Sequence, residues 1–125
     1  EHQEEPLPLG QLRHLARCAA GSSLGYCTDL ADTPANRSAA ATLVQGVDLL
    51  LIEATFAASE AGRAARRGHL STLAAGAIAR QAGVGRVEPF HFSARHAGAE
   101  QVMLAEIGAA FGGPVGPEDD DPAAP

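Results

Sequence analysis

Two short segments hold the residues best suited to chemistry, His69-Leu70-Ser71-Thr72 and Pro89-Phe90-His91-Phe92-Ser93-Ala94-Arg95. Each sets a histidine beside hydroxyl side chains, and the second adds an arginine. An imidazole binds a metal or moves a proton near neutral pH. Hydroxyls and a guanidinium fork are donors that match phosphate oxygens. Metal, proton transfer and phosphate recognition together point to hydrolysis of a phosphodiester. Two carboxylates, Asp29 and Glu53, are the acids placed to join this set.

These residues need elements that bring them to one place. Residues 24–28 read as a short strand ending in Asp29. Pro34 precedes a helical stretch over 36–45, with Ala40, Leu43 and Val44 at helical spacing and Gly46 as its stop. Residues 47–52 are apolar but for Asp48, which predicts a strand buried on both faces, and Glu53 stands at its end. A short Ala- and Arg-rich helix fits 57–67. A stronger helix fits 70–81, closed by Gly83 and Gly85. A second strand candidate covers 87–92, and a last helix covers 97–111. Strand and helix alternate, which predicts an α/β layer. Asp29, Glu53 and His91 then fall at carboxyl ends of strands, the edge where such sheets bind ligands.

Each residue also has a plainer reading. Asp29 serves equally as a turn acid or helix N-cap ahead of Asp32-Thr33-Pro34. His91, between Phe90 and Phe92, suits a core histidine with one hydrogen bond. His69 suits a solvent-facing position at a helix start, with Ser71 and Thr72 capping. The same helix start suits a phosphate, because free backbone N–H groups there face an anion. Arg63, Arg66 and Arg67 read as a solvated helix face that can also touch an RNA backbone. His2, His14 and His96 receive no role, and Asp119 to Asp121 read as a solubilising run.

Composition bounds the rest. At 125 residues the chain is one domain at most, or half of a larger one, and its opening on Glu1 rather than Met fits a fragment or processed product. Aromatic residues make up 4% and Trp is absent, so the core is built of small aliphatics and buries little area per residue. A partner or a missing half is therefore expected. The formal charge of −6 is misleading, because Glu1, Glu4, Glu5 and Glu118 to Asp121 carry seven of the fifteen acids. The remaining eight acids face nine basic residues, all arginine, and give +1. Residues 1–10 read as an acidic linker or tail, 11–113 as the folded part and 114–125 as a disordered acidic tail. Cys18 and Cys27 lack zinc-site spacing and read as a buried reduced pair. No apolar run approaches the roughly 20 residues of a membrane span, and no charged-then-apolar segment opens the chain. A cytoplasmic location with no membrane partner is the expectation.

Taken in order, the segments Gly25-Tyr26-Cys27-Thr28-Asp29, Asp48-Leu49-Leu50-Leu51-Ile52-Glu53-Ala54-Thr55-Phe56, Gly68-His69-Leu70-Ser71-Thr72 and His91-Phe92-Ser93-Ala94-Arg95 resemble the C-terminal half of a ribonuclease Z. The resemblance spans roughly residues 22 to 112. It implies the C-terminal half of a metallo-β-lactamase-type αββα sandwich, with a pair of Zn²⁺ ions in the complete site and precursor tRNA, or another phosphodiester, as substrate. It implies Asp29 and His91 as metal ligands, His69 with Glu53 in proton transfer, and Ser93 with Arg95 at the substrate phosphate. Ile52 stands where the family has the histidine of His-Glu-Ala-Thr. Ala94 and His96 stand where it usually has Pro and Tyr, which predicts a looser loop around Arg95. The His-x-His-x-Asp-His cluster occurs nowhere, so the isolated chain is expected to be inactive and to need its N-terminal half in cis or in trans. Two further readings stay open, a metallo-β-lactamase-fold hydrolase of a small phosphodiester or other ester, and a non-catalytic orphan half or interaction module. A homodimer is also left open.

Overall fold

The computed structural model describes residues 6–117. Three parallel strands form one sheet in the order β1 (Leu24–Cys27), β2 (Leu49–Glu53), β3 (Arg86–Phe90). Parallel neighbours require crossovers. Helix α2 (Pro34–Leu43) supplies the first, and α3 (Ala61–Arg67) with α4 (Thr72–Ala82) supplies the second. A last helix, α5 (Glu100–Phe111), follows β3, and a single exposed turn, α1 (Leu9–Leu12), precedes the sheet. The predicted order of strands and helices is the observed one, with ends shifted by a few residues.

Local signals explain the boundaries. Thr33 caps α2 by accepting the Asn36 N–H at 3.1 Å, and Pro34 takes the first helical position, where its missing N–H costs nothing. Ser71 caps α4 through the Ala74 N–H at 3.3 Å. Both α3 and α4 end on a left-handed glycine, Gly68 and Gly83.

The core lies on one side of the sheet. Register lines up Gly25, Leu50 and Val87 across the three strands. These strands pack with Ala40, Ala41 and Val44 of the α2 region, Ala74, Ala75, Ile78 and Ala79 of α4, and Ile107 and Phe111 of α5. Small residues let the layers approach closely. A Cβ on Gly76 would lie 2.6 Å from the Ala110 Cβ and 2.7 Å from the Ile107 carbonyl oxygen, so α4 and α5 cross where only glycine fits.

The other face corrects one expectation. Residues 47–52 were predicted to be buried on both sides, yet only Leu50 and Ile52 are fully covered, while Leu49 and Leu51 are half-buried. Leu24 and Tyr26 on β1 are 62% and 59% exposed, and the Tyr26 ring stacks on Phe90 at 5.3 Å across the same face. The apolar pattern of β2 is written for two layers, and among the described residues the sheet has a helical layer on one side only.

A second correction concerns the C-terminal tail. Pro114 to Gly116 lie along β3: the Val87 N–H donates to the Pro114 carbonyl, the Gly116 N–H donates to the Val87 carbonyl, and Val115 pairs with Val87. Arg86 adds hydrogen bonds to the carbonyls of Gly116 and Pro117. The expected disorder from residue 114 therefore fails over this stretch, because a free strand edge captures it. The acidic runs at 1–5 and 118–121 lie outside the described residues.

Candidate active site

The carboxyl ends of the strands gather the acids and histidines singled out above. Glu53 is the last residue of β2 and is fully buried. Its Oε1 accepts the Leu30 N–H at 2.7 Å. Its Oε2 accepts the Thr55 hydroxyl at 2.7 Å and lies 2.8 Å from Nδ1 of His69. A buried carboxylate is tolerated when its oxygens are satisfied in this way. With Nδ1 hydrogen-bonded to a carboxylate, the His69 ring keeps its other nitrogen for a metal or a proton.

Asp29 and His91 flank that ring. One ligand atom from each of Asp29, His69 and His91 lies within 4.8 Å of the others. Asp29 and His91 are also the non-glycine residues with left-handed backbone, at φ 51° and 62°. Side chains rarely take this conformation without a local reason, and such positions cluster at functional sites. These left-handed residues follow the ends of β1 at Cys27 and β3 at Phe90. The rings of His69 and His91 meet edge to face at 5.4 Å. Carboxylate and imidazole are a donor set that suits zinc and similar divalent ions.

The plainer readings can be set against this geometry. Asp29 is not a helix N-cap, since Thr33 holds that place. His91 is not a core histidine, since β3 ends at Phe90 and the His91 side chain is 48% exposed. His69 does not open a helix. It lies between the Gly68 cap of α3 and the Ser71 cap of α4, where its N–H donates to the Ala64 carbonyl. The anion argument from a helix start therefore does not apply to it. Ser71 does cap a helix, as one reading held. Thr72 instead donates its hydroxyl to Glu106.

Ser93 and Arg95 share a cavity of about 280 Å³ with His69, Thr55, Phe56, Arg63 and Arg67. The loop that carries them is not loose, contrary to the expectation from Ala94. The Ser93 N–H donates to the Thr55 carbonyl at 2.9 Å, and a single helical turn over Ala94–His96 closes on the Ser93 carbonyl. His96, assigned no role from sequence, anchors this turn to the segment after β2. Its Nε2 lies 3.3 Å from the Ala57 N–H and 3.1 Å from Glu60 Oε2. Glu60 also meets Arg95 Nε at 3.6 Å and Arg63 Nε at 3.1 Å. Sequence reasoning missed Glu60 and His96, whose contacts with each other and with Arg95 are long-range, and it missed Thr55, whose hydroxyl serves Glu53 two residues away. Arg63 and Arg67 carried a visible signal, their clustering ahead of His69.

The chain matches no family model. It is 47% identical over 77 residues to a ribonuclease Z of Thermobifida fusca, covering 61% of this chain and 24% of that protein. It is 39% identical over 95 residues to a ribonuclease Z of Prochlorococcus marinus, covering 73% and 29%. A ribonuclease BN of Salmonella paratyphi B is 39% identical over 99 residues, covering 78% and 31%. The metallo-β-lactamase fold protein YhfI of Bacillus subtilis superposes with a TM-score of 0.64 at 26% identity, over 75% of this chain and 36% of that one. The chain is ribonuclease Z-like and has a metallo-β-lactamase-type fold. It spans about a quarter to a third of the length of the curated relatives it matches, and that partial coverage fits the C-terminal half. Among the described residues, no helix is long and apolar enough to cross a membrane.

Proposed function

We propose that this chain is the C-terminal part of a zinc-dependent phosphodiesterase of the ribonuclease Z type, which cleaves precursor tRNA endonucleolytically at its 3′ end. The observation that carries this reading is the convergence of Asp29, His69 and His91 over a buried Glu53, beside a cavity holding Ser93 and Arg95. Asp29 and His91 would hold metal, which when bound supplies Lewis-acid stabilisation of phosphoryl charge and activation of water. His69, oriented by Glu53, would hand a proton to the departing 3′ oxygen. Ser93 and Arg95 would bind the phosphate. The proximity of His69 to Asp29 and His91 also favours a second role for it, as a third ligand carrying a carboxylate behind it. In the complete protein, His69→Ala with zinc content retained and kcat lowered supports the proton role. Loss of zinc in that variant assigns His69 to the metal.

Three donors fall short of the full set for a pair of ions, so the isolated chain is expected to show no substantial turnover. The missing N-terminal part would join in cis or in trans. The experiment is to combine this chain with such a part, load zinc and compare cleavage of precursor tRNA with that of a small chromogenic phosphodiester. Cleavage of tRNA at the 3′ side supports the proposal. Turnover of the small ester alone would replace the substrate, and no turnover of either would leave an interaction module. Both cysteines are free, Cys27 buried but Cys18 exposed, contrary to the expected buried pair, because Cys18 lies ahead of β1 and outside the core; their free state supports a reducing cytoplasm as the setting.

A further inference from the structure

We propose that the cavity beside His69 takes a second phosphate, the one flanking the phosphate assigned to Ser93 and Arg95, and that Arg63 and Arg67 bind it. This inference rests on the phosphodiesterase reading and narrows its substrate to a strand with consecutive phosphates.

The cavity draws three arginines from two separate elements. Arg63 and Arg67 come from α3, and Arg95 comes from the turn after β3. Arg63 is partly buried and Arg67 is exposed, and both line the same cavity as His69. Glu60 draws two of the guanidinium groups together, with Oε1 at 3.1 Å from Arg63 Nε and Oε2 at 3.6 Å from Arg95 Nε. Contact through Nε leaves the paired terminal nitrogens of each guanidinium available to another anion. Arg67 makes no ion pair among the described residues. Three guanidinium charges against the carboxylates of Glu60 and of Glu53, which lies behind His69 and Thr55, still leave a net positive cavity. Like charges held this close repel, and an anion among them relieves that repulsion. One phosphate beside His69 is served by Ser93 and Arg95, so Arg63 and Arg67 remain as donors for its neighbour.

The test uses the 125-residue chain and two nucleotides, adenosine 3′,5′-bisphosphate and adenosine 5′-monophosphate, titrated by calorimetry at fixed ionic strength. The bisphosphate is expected to bind about 10-fold more tightly, the scale of one added charge-assisted contact. Arg63→Gln and Arg67→Gln should each erase several-fold of that advantage and leave monophosphate affinity unchanged. Arg95→Gln should weaken both ligands. Because Arg67 has no ion pair to lose, Arg67→Gln remains informative if Arg63→Gln fails to fold. Equal affinity for the two nucleotides, or a bisphosphate advantage that survives in the variants, overturns the second phosphate and leaves the phosphodiesterase reading standing. Failure of the wild-type chain to bind either nucleotide also overturns the second phosphate, while cleavage of precursor tRNA by the chain joined to its N-terminal part judges the phosphodiesterase reading separately.

Discussion

Glu53 and His69 are joined by one hydrogen bond, with Oε2 of a fully buried carboxylate 2.8 Å from Nδ1 of the ring. The same carboxylate accepts the Leu30 N–H and the Thr55 hydroxyl, so it ties the segment after β1 to the end of β2 and to the site.

Removing Glu53 should therefore cost stability as well as chemistry. Glu53→Ala strands a backbone N–H, a hydroxyl and an imidazole in a buried place. The expected loss is about 3 kcal/mol, from unsatisfied buried donors at about 1–3 kcal/mol each with partial relaxation. Denaturant unfolding of the chain measures it, and a change below about 1 kcal/mol would mean that water replaces the carboxylate.

Asp29 and His91 allow a ligand role to be separated from a backbone role. Glycine accepts their left-handed φ without strain, while its greater freedom in the unfolded chain opposes that relief. Asp29→Gly and His91→Gly should thus keep folding stability within about 1 kcal/mol of wild type. Zinc affinity, read by competition with a chelating dye, should fall about 10-fold or more in each. Unchanged affinity in both would remove them from the metal site.

Gly76 tests the helical layer behind the sheet. Gly76→Ala gains helix propensity but drives its methyl into Ala110 and the Ile107 carbonyl. Overpacking should win, with a loss of about 1–3 kcal/mol read from the melting temperature. A stabilised variant would show that α5 shifts at little cost.

Asp48 gives a pH dependence with a fixed sign. The Ser23 N–H and hydroxyl, at 2.6 and 3.0 Å, hold its carboxyl below the usual range. A lowered folded value means that the stabilisation is present above the unfolded value and fades as pH falls through the folded one. The stability difference between wild type and Asp48→Asn should therefore be present near neutral pH and shrink in acid. A difference independent of pH would mean that the Ser23 contacts do not depend on the charge.

Much of the site is legible along the chain because buried strands write a clear pattern. The apolar runs before Asp29 and Glu53 stop at a polar residue, and the structure ends β1 and β2 within two residues of them. His91 is harder, because its neighbours Phe90 and Phe92 extend the apolar run while the backbone turns left-handed at the histidine. Burial of Leu49 and Leu51 misleads for another reason, since among the described residues no helical layer covers their face of the sheet. Composition also misreads Pro114 to Gly116, whose order comes from the edge of β3 rather than from its own residues. The Glu60–His96 pair has no local signal, as Glu60 lies in the crossover from β2 to β3 and His96 lies in the turn after β3.

The uncovered side of the sheet bears on how the chain behaves in solution. Pro114 to Gly116 protect the outer edge of β3, but among the described residues no segment pairs with the outer edge of β1. Leu24 and Tyr26 stand on that same strand, so unpaired backbone and an oily patch coincide. Such an edge recruits other strands. Pairing of copies through this edge would rise with concentration, and the formal net charge of −6 would oppose it.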